Sequence, residues 1–267
     1  MKKIAIIGFG IVGKGIYEIL KKKETVETGN LSIKYVLLHS DKSDAEVNEL
    51  KNKYNDVIFT KDFDIILNDD EIEFVCECTG KVEPIAEQIL SCIEKNKVVV
   101  SSNKEVIAKN YKCFKEHIES KMLRIEASVG GGIHLFKSID DIKKVDKILS
   151  VEGIINGTSN YILSNMMDND ADFDTALKEA QVAGFAEKDP TNDIEGFDAM
   201  YKIAILHNYI FDDIINLDTI TRDGITKVTK EDMKVAQDLN EEIKLIARCD
   251  DKSASVECIR IGKRAED

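Results

Sequence analysis

The first 125 residues alternate short apolar runs with segments whose apolar positions recur at helical spacing. Ile4–Ile7 is a continuous apolar run and Leu31–Leu38 reads as a second strand. Phe74–Cys78, Lys97–Val100 and Leu123–Ile125 are further runs of strand length. Between them, Ile11, Ile16, Ile19 and Leu20 carry helical spacing, and Glu83–Lys95 reads as a polar helix. Strand and helix signals in alternation predict a parallel sheet with helices on both faces. Strands so short and apolar suit a sheet buried on both sides.

Beyond about residue 127 the pattern changes. Gly130-Gly131-Gly132 interrupts it, and a strand signal over Ile148–Ile155 follows. A mostly helical region then runs from Asn160 to Phe211. A polar segment with Thr219, Thr221 and Thr226 precedes a predicted helix over Glu231–Ala247, and the last strand signal is Ser255–Ile261. The pattern predicts an α/β chain: a doubly wound parallel-sheet domain over residues 1–129, then an α+β domain over 130–267.

A length of 267 residues suffices for one large or two modest domains, each with its own core, and 43% hydrophobic residues argue for a globular fold. A net charge of -13 repels phosphate backbones and anionic lipid, so neither nucleic acid nor a membrane is an expected partner. Too few apolar residues follow Lys2 and Lys3 for an export signal, and no run reaches the roughly 18 residues of a membrane span. The expected location is the cytoplasm. The six cysteines form no C-x-x-C pair, which argues against zinc and for reduced, half-buried thiols. Cys76 and Cys78, two apart in a strand, should point the same way.

Gly8-Phe9-Gly10-Ile11-Val12-Gly13 follows a strand and opens a helix, the context that a G-x-G-x-x-G dinucleotide turn of the Rossmann type requires. Gly8 would allow the tight turn, Gly10 the close approach of a pyrophosphate, and Gly13 the packing of helix on strand. The helix amides and dipole would then hold the anion. Without a ligand, the same glycines make an ordinary strand-to-helix turn. An acidic residue at the end of the second strand would grip the ribose of NAD. Leu37-Leu38-His39-Ser40 stands there instead, with Asp41 slightly beyond. His39 and Lys42 would suit a 2′-phosphate, which leans the reading to NADP over NAD; the other reading is a solvated loop.

Two regions offer chemistry. Ser101-Ser102-Asn103-Lys104 lies just past a strand, where ligands bind in doubly wound sheets. On sequence alone Lys104 reads equally as an exposed lysine. The second region is Glu187-Lys188-Asp189-Pro190-Thr191-Asn192-Asp193, followed by Gly196, Asp198 and Lys202. Asp198 and Lys202, four apart, share a helical face. A desolvated Lys202, or one facing Lys104, would have its pKa drawn down toward the range useful for proton transfer. The plain alternative is a surface ion pair worth under ~1 kcal/mol. The carboxylates do not form an EF-hand, because Ile194 stands where that loop needs glycine.

Gly153-Ile-Ile-Asn-Gly-Thr-Ser-Asn-Tyr-Ile-Leu-Ser-Asn-Met166 resembles the G-I-x-N-G-T-x-N-Y-I-L-x-x-M motif of homoserine dehydrogenases. Ala183 to Lys202 is similar to that family's G-x-A-E-x-D-P-x-x-D-x-x-G-x-D-x-x-x-K signature, and Glu126–Ile133 and Ser102–Lys104 resemble further family segments. The resemblance spans residues 4 to about 247. It implies interconversion of L-homoserine and L-aspartate 4-semialdehyde with NAD(P), in threonine and methionine synthesis, by a homodimer. It implies Lys202 as proton donor, with Lys104 and Asp198 also catalytic. Glu187 would hold the substrate ammonium, and Asp193, Gly157 and Thr158 would also contact the substrate. Gly8 to Gly13, Thr79, Ser102 and Lys104 would hold the dinucleotide. Glu126, Val129, Gly131 and Ile133 would bind a sodium ion.

The chain departs from that family at His134, where proline is usual, and at Leu38 and His39, where arginine is common. It leaves the pattern after about Val256, so the second domain is expected to be shortened, with apolar dimer surface exposed. Two alternatives stand beside the enzyme. One is a non-catalytic nucleotide-binding relative serving as a sensor or partner subunit. The other is a dinucleotide oxidoreductase of different substrate.

Overall fold

The computed structural model describes residues 2–22, 31–39 and 41–262, and the chain folds as two units, Met1–Lys137 and Ser138–Asp267. In the first, β1 (Lys2–Ile7), α1 (Ile11–Lys21), β2 (Leu31–Leu37), α2 (Asp44–Lys53), β3 (Ile58–Thr60) and α3 (Asp64–Leu67) come first. Then follow β4 (Ile72–Glu77), α4 (Ile85–Glu94), β5 (Val98–Ser101), α5 (Lys104–Glu119), β6 (Leu123–Arg124) and α6 (Leu135–Lys143), which runs into the second unit. That unit continues with β7 (Ser150–Gly153), α7 (Gly157–Asp168), α8 (Phe173–Val182), α9 (Thr191–Ile194) and α10 (Phe197–Phe211). It ends with β8 (Thr221–Arg222), α11 (Lys230–Asp238), β9 (Glu241–Asp250) and β10 (Ala254–Gly262).

The first sheet has the order β3-β2-β1-β4-β5-β6, every pair parallel. The expected doubly wound sheet is therefore present, and Ile4 to Ile7, Val75 and Val99 form its buried centre. The order reverses between β1 and β4, so the loops beyond these strands diverge and leave a crevice. The apolar runs in this half fall on β1, β2, β4, β5 and β6. The strand β3 and the helices α2, α3 and α5 carry weaker signals. Helix α2 is mostly polar and depends on its ends, where Ser43 and Glu46 form a reciprocal cap.

The second sheet, β7-β9-β10-β8, is mixed. β9 pairs antiparallel with β7 and β10, and β8 joins β10 in parallel. Helix α10 packs on this sheet with Ile203 to Leu206 each at most 1% exposed. The predicted helix over Glu231–Ala247 is corrected here. Helix α11 ends at Asp238, Asn240 turns the chain at φ +55°, and Glu241 onward is strand. Asparagine tolerates the left-handed region, so it serves as the stop. The apolar Ile243, Leu245, Ile246 and Ala247 then bury within the sheet rather than along a helix. Among the described residues, no helix is long and apolar enough to cross a membrane.

All six cysteines are free. Three are half-buried as expected, but Cys92 and Cys249 are buried and Cys113 is exposed. Burial pushes the Cys76 and Cys92 thiols up to about 11 and Cys249 to about 12, so they stay protonated and unreactive.

Candidate active site

The glycine turn is built into the sheet. The Gly8 N–H donates to the Leu37 carbonyl at 3.0 Å, and the Cys78 N–H donates to the Ile7 carbonyl at 2.9 Å. Gly8 has φ +91°, and a Cβ there would lie 3.0 Å from the Cys78 oxygen. A Cβ on Gly13 would lie 2.2 Å from the Gly8 oxygen. Packing alone therefore demands glycine at both positions. Gly10 differs, because it caps α1 in extended backbone and a Cβ there would meet nothing within 4 Å. The space in front of Gly10 is what an approaching ligand backbone needs.

Helix α1 begins with no side-chain cap and no acidic residue in its first turn. Its leading amides and dipole thus remain available to an anion. Ile11 and Val12 are 94% and 50% exposed, so this first turn presents backbone and small apolar surface. Phe9 points the other way. Its ring stands edge-on to Tyr17, Tyr54 and Phe59 at 5.1 to 6.2 Å, and it pins the turn to the core.

A cavity of about 580 Å³ opens beside the turn, walled by the ends of β2 and β4 and the start of α4. Its rim carries His39, Lys42, Lys61 and Lys81. The Lys81 ammonium faces His39 Nε2, and His39 Nδ1 is hydrogen-bonded to the Asp41 carboxylate. That hydrogen bond holds the Asp41 carboxyl below its ordinary range. Lys61 donates to the Lys42 carbonyl at 2.6 Å. His39 and Lys42 were expected at this rim from the chain; Lys61 and Lys81 arrive only through folding. Ser40 lies outside the described residues.

Behind the turn sits a fully buried carboxylate, Glu77, at the end of β4. It accepts from the Thr79 amide at 2.7 Å, the Thr79 hydroxyl at 2.6 Å and the Ser101 hydroxyl at 2.5 Å. Asn103 donates to the Lys81 carbonyl at 2.7 Å and caps α5 through Val106. Thr79, Ser102 and Lys104 thus stand at the ends of β4 and β5, on segments that this network braces. Burial pushes the Glu77 carboxyl above its ordinary range, against the pull of its hydrogen bonds. The sequence reading missed Glu77; the available signal was a lone carboxylate inside the apolar run Phe74–Cys78.

Glu126 lies in a short 3₁₀ turn before the glycine cluster, and its carboxylate accepts from the Phe136 amide at 3.1 Å. Gly130 and Gly131 turn the chain at φ +81° and +59°. Val129 is buried and Ile133 is 68% exposed. The donors this segment offers are one carboxylate and backbone oxygens, a hard set.

In the second unit, Lys202 Nζ lies 2.6 Å from Asp198 Oδ2 and 2.8 Å from the Ile155 carbonyl. Their side chains are 18% and 4% exposed, so this is no surface pair. Asn156 donates to Asp198 at 2.8 Å and to Asp193 at 2.6 Å, while its oxygen caps α7 at the Ser159 amide. One amide therefore ties both signature aspartates to the start of α7, where Gly157 and Thr158 stand. Asn156 was not singled out from the sequence, although an asparagine before Gly-Thr-Ser is a helix-cap signal.

Glu187 is exposed, on the loop between α8 and α9. Gln181 donates to its carbonyl at 3.1 Å. The Thr158 hydroxyl donates to the Phe185 carbonyl at 2.8 Å, and the Tyr161 and Phe185 rings stack at 4.3 Å. Gly196 starts α10 at φ +78°, where a Cβ would lie 2.5 Å from the Asp223 oxygen, so packing demands the glycine of the signature.

Residues 8–125 match the family model described as "Homoserine dehydrogenase, NAD binding domain", and residues 135–265 match "Homoserine dehydrogenase". The homoserine dehydrogenase of Lactococcus lactis is 32% identical over 95% of this chain and 60% of its own length. That of Synechocystis is 36% identical over 93% of this chain and 57% of its own. A crystal structure of a homoserine dehydrogenase from Thiobacillus denitrificans superposes with a TM-score of 0.87 at 31% identity, covering 98% of this chain and 62% of that one. The chain thus spans about 60% of the length of these relatives.

Proposed function

The chain belongs to the homoserine dehydrogenase family, and from that premise we propose that it oxidises L-homoserine to L-aspartate 4-semialdehyde and runs the reverse reduction. The observation that carries this reading is the half-buried Lys202 ammonium, held by a buried Asp198 that Asn156 links to Asp193. When bound, the dinucleotide supplies or accepts the hydride. The Gly10 approach and the bare amides of α1 fit its pyrophosphate. Thr79, Ser102 and Lys104 would contact it from the ends of β4 and β5.

Lys202 delivers a proton to the aldehyde oxygen as negative charge develops there, and removes it in the other direction. Asp198 pairs with the ammonium and aims it, and Lys104 is a second catalytic lysine on the nucleotide-binding unit. Glu187 pairs with the substrate ammonium, while Asp193 and Gly157 shape the rest of the pocket. Thr158 acts through its hold on the loop that carries Glu187.

NADP is the preferred dinucleotide, supported by Lys42, Lys61 and Lys81, with His39, at the cavity rim. Glu126, with the carbonyls of Val129, Gly131 and Ile133, would hold a sodium ion, as a hard oxygen set suits. The protein works as a cytosolic homodimer. Six free thiols support a reducing compartment, and the edge strand β7, with Leu149 70% exposed beside it, supports pairing of copies.

The test is NADP+- or NAD+-dependent oxidation of L-homoserine by purified protein. Lys202→Ala should abolish most turnover while dinucleotide binding survives. Unchanged turnover in that variant, or no turnover in the parent chain, overturns the reading.

A further inference from the structure

We propose that Gln88 reads the purine base of the dinucleotide, accepting a hydrogen bond from the 6-amino group of adenine. The inference rests on the dinucleotide reading above and adds to it a specificity residue.

The cavity's geography orders the ligand. The glycine turn and the first amides of α1 take the pyrophosphate, and the end of β2 takes the adjoining ribose. The base lies further along the same wall, among Leu38, Pro84, Ile85 and Gln88. Leu38 and Ile85 are 3% and 5% exposed and give the flat apolar surface that base faces prefer. The Gln88 amide N–H donates to the Pro84 carbonyl at 3.2 Å, so Gln88 stands one turn into α4 on the side of Pro84.

Gln88 Oε1 is buried and has no hydrogen-bond partner among the described residues. Native structures keep few such acceptors, because desolvating an oxygen without a donor is unfavourable. No rim side chain donates to it. Lys81 faces His39, His39 faces Asp41, Lys42 pairs with Glu46, and Lys61 bonds the Lys42 carbonyl. With the carboxamide turned toward the cavity it lines, a donor carried by the ligand would satisfy the orphan oxygen. Adenine presents an amino group at position 6 beside the N7 acceptor, the pair that a carboxamide matches with its oxygen and its NH₂. Hypoxanthine carries a carbonyl at position 6 and turns acceptor against acceptor.

The test is binding of NADPH and of its hypoxanthine counterpart to the whole chain, followed by nicotinamide fluorescence. The parent chain should prefer the adenine form by about tenfold or more. Gln88→Leu should lose that preference by weakening the adenine form alone. Gln88→Glu, which keeps an acceptor, should retain it. Melting temperatures establish that each variant is folded. Equal binding of both dinucleotides by the parent chain, or an unchanged ratio in Gln88→Leu, overturns the base assignment and leaves the dinucleotide reading standing. Binding of neither overturns that reading, and this one with it.

Discussion

Alanine substitution of Gly13 and Gly10, one at a time, separates a glycine that the fold needs from one that the ligand needs. In Gly13→Ala the new Cβ lies 2.2 Å from the Gly8 oxygen, and ordinary contact begins at 3.4 Å, so the turn must open by the difference, 1.2 Å. Gly8 has little room to yield, since its amide is bonded to Leu37 at 3.0 Å and the space beside it toward Cys78 and Thr79 is too small even for a Cβ. Overpacking of backbone on backbone costs about 3 kcal/mol, and the better helix propensity of alanine returns up to ~1 kcal/mol. A net loss of about 2 to 3 kcal/mol in a unit of this size lowers the melting temperature by roughly 10 °C. In Gly10→Ala the Cβ meets nothing within 4 Å and the φ of -81° suits any residue. Only the poorer cap counts, at under ~1 kcal/mol. The same Cβ stands where the pyrophosphate would approach, so dinucleotide affinity should fall at least about tenfold, or ~1.4 kcal/mol. Thermal unfolding and NADPH fluorescence titration read the two effects separately, and a chain without tryptophan leaves the nicotinamide signal uncrowded. A Gly10→Ala protein that binds NADPH like its parent, or a Gly13→Ala protein that melts with its parent, refutes the reasoning.

Two further outcomes follow from buried charge. Because burial raises the folded-state pKa of Glu77 above its unfolded value, its contribution to stability is full at acid pH and declines as pH rises through the raised pKa. Glu77→Gln removes that slope, so its melting temperature should gain on the parent's as pH rises above the ordinary glutamate range; a constant difference would count against it. Asp198→Asn takes the negative charge from beside a Lys202 ammonium that is 18% exposed. The loss should approach ~3 kcal/mol by denaturant unfolding, and a change below ~1 kcal/mol would mean that the pair is solvated.

Local pattern along the chain specifies the doubly wound half and the position of the glycine turn. Both are short-range properties. Apolar runs of four to eight residues and a strand-turn-helix with glycines at set places depend on neighbours along the chain. The same locality explains where the reading failed. Residues 231–247 hold helical spacing throughout, yet the left-handed turn at Asn240 and the pairing of β9 with β7 and β10 make the second part strand. Sheet partners distant in sequence outweighed local propensity. Tertiary structure alone decided the settings of the charged groups. Glu77 is buried because β4 lies inside the sheet, and it meets Ser101, 24 residues on. Asn156 reaches Asp198 across 42 residues and Lys202 reaches the Ile155 carbonyl across 47. Whether a lysine is a solvated surface charge or a held proton donor depends on such contacts and on the water they exclude, and folding creates both at once.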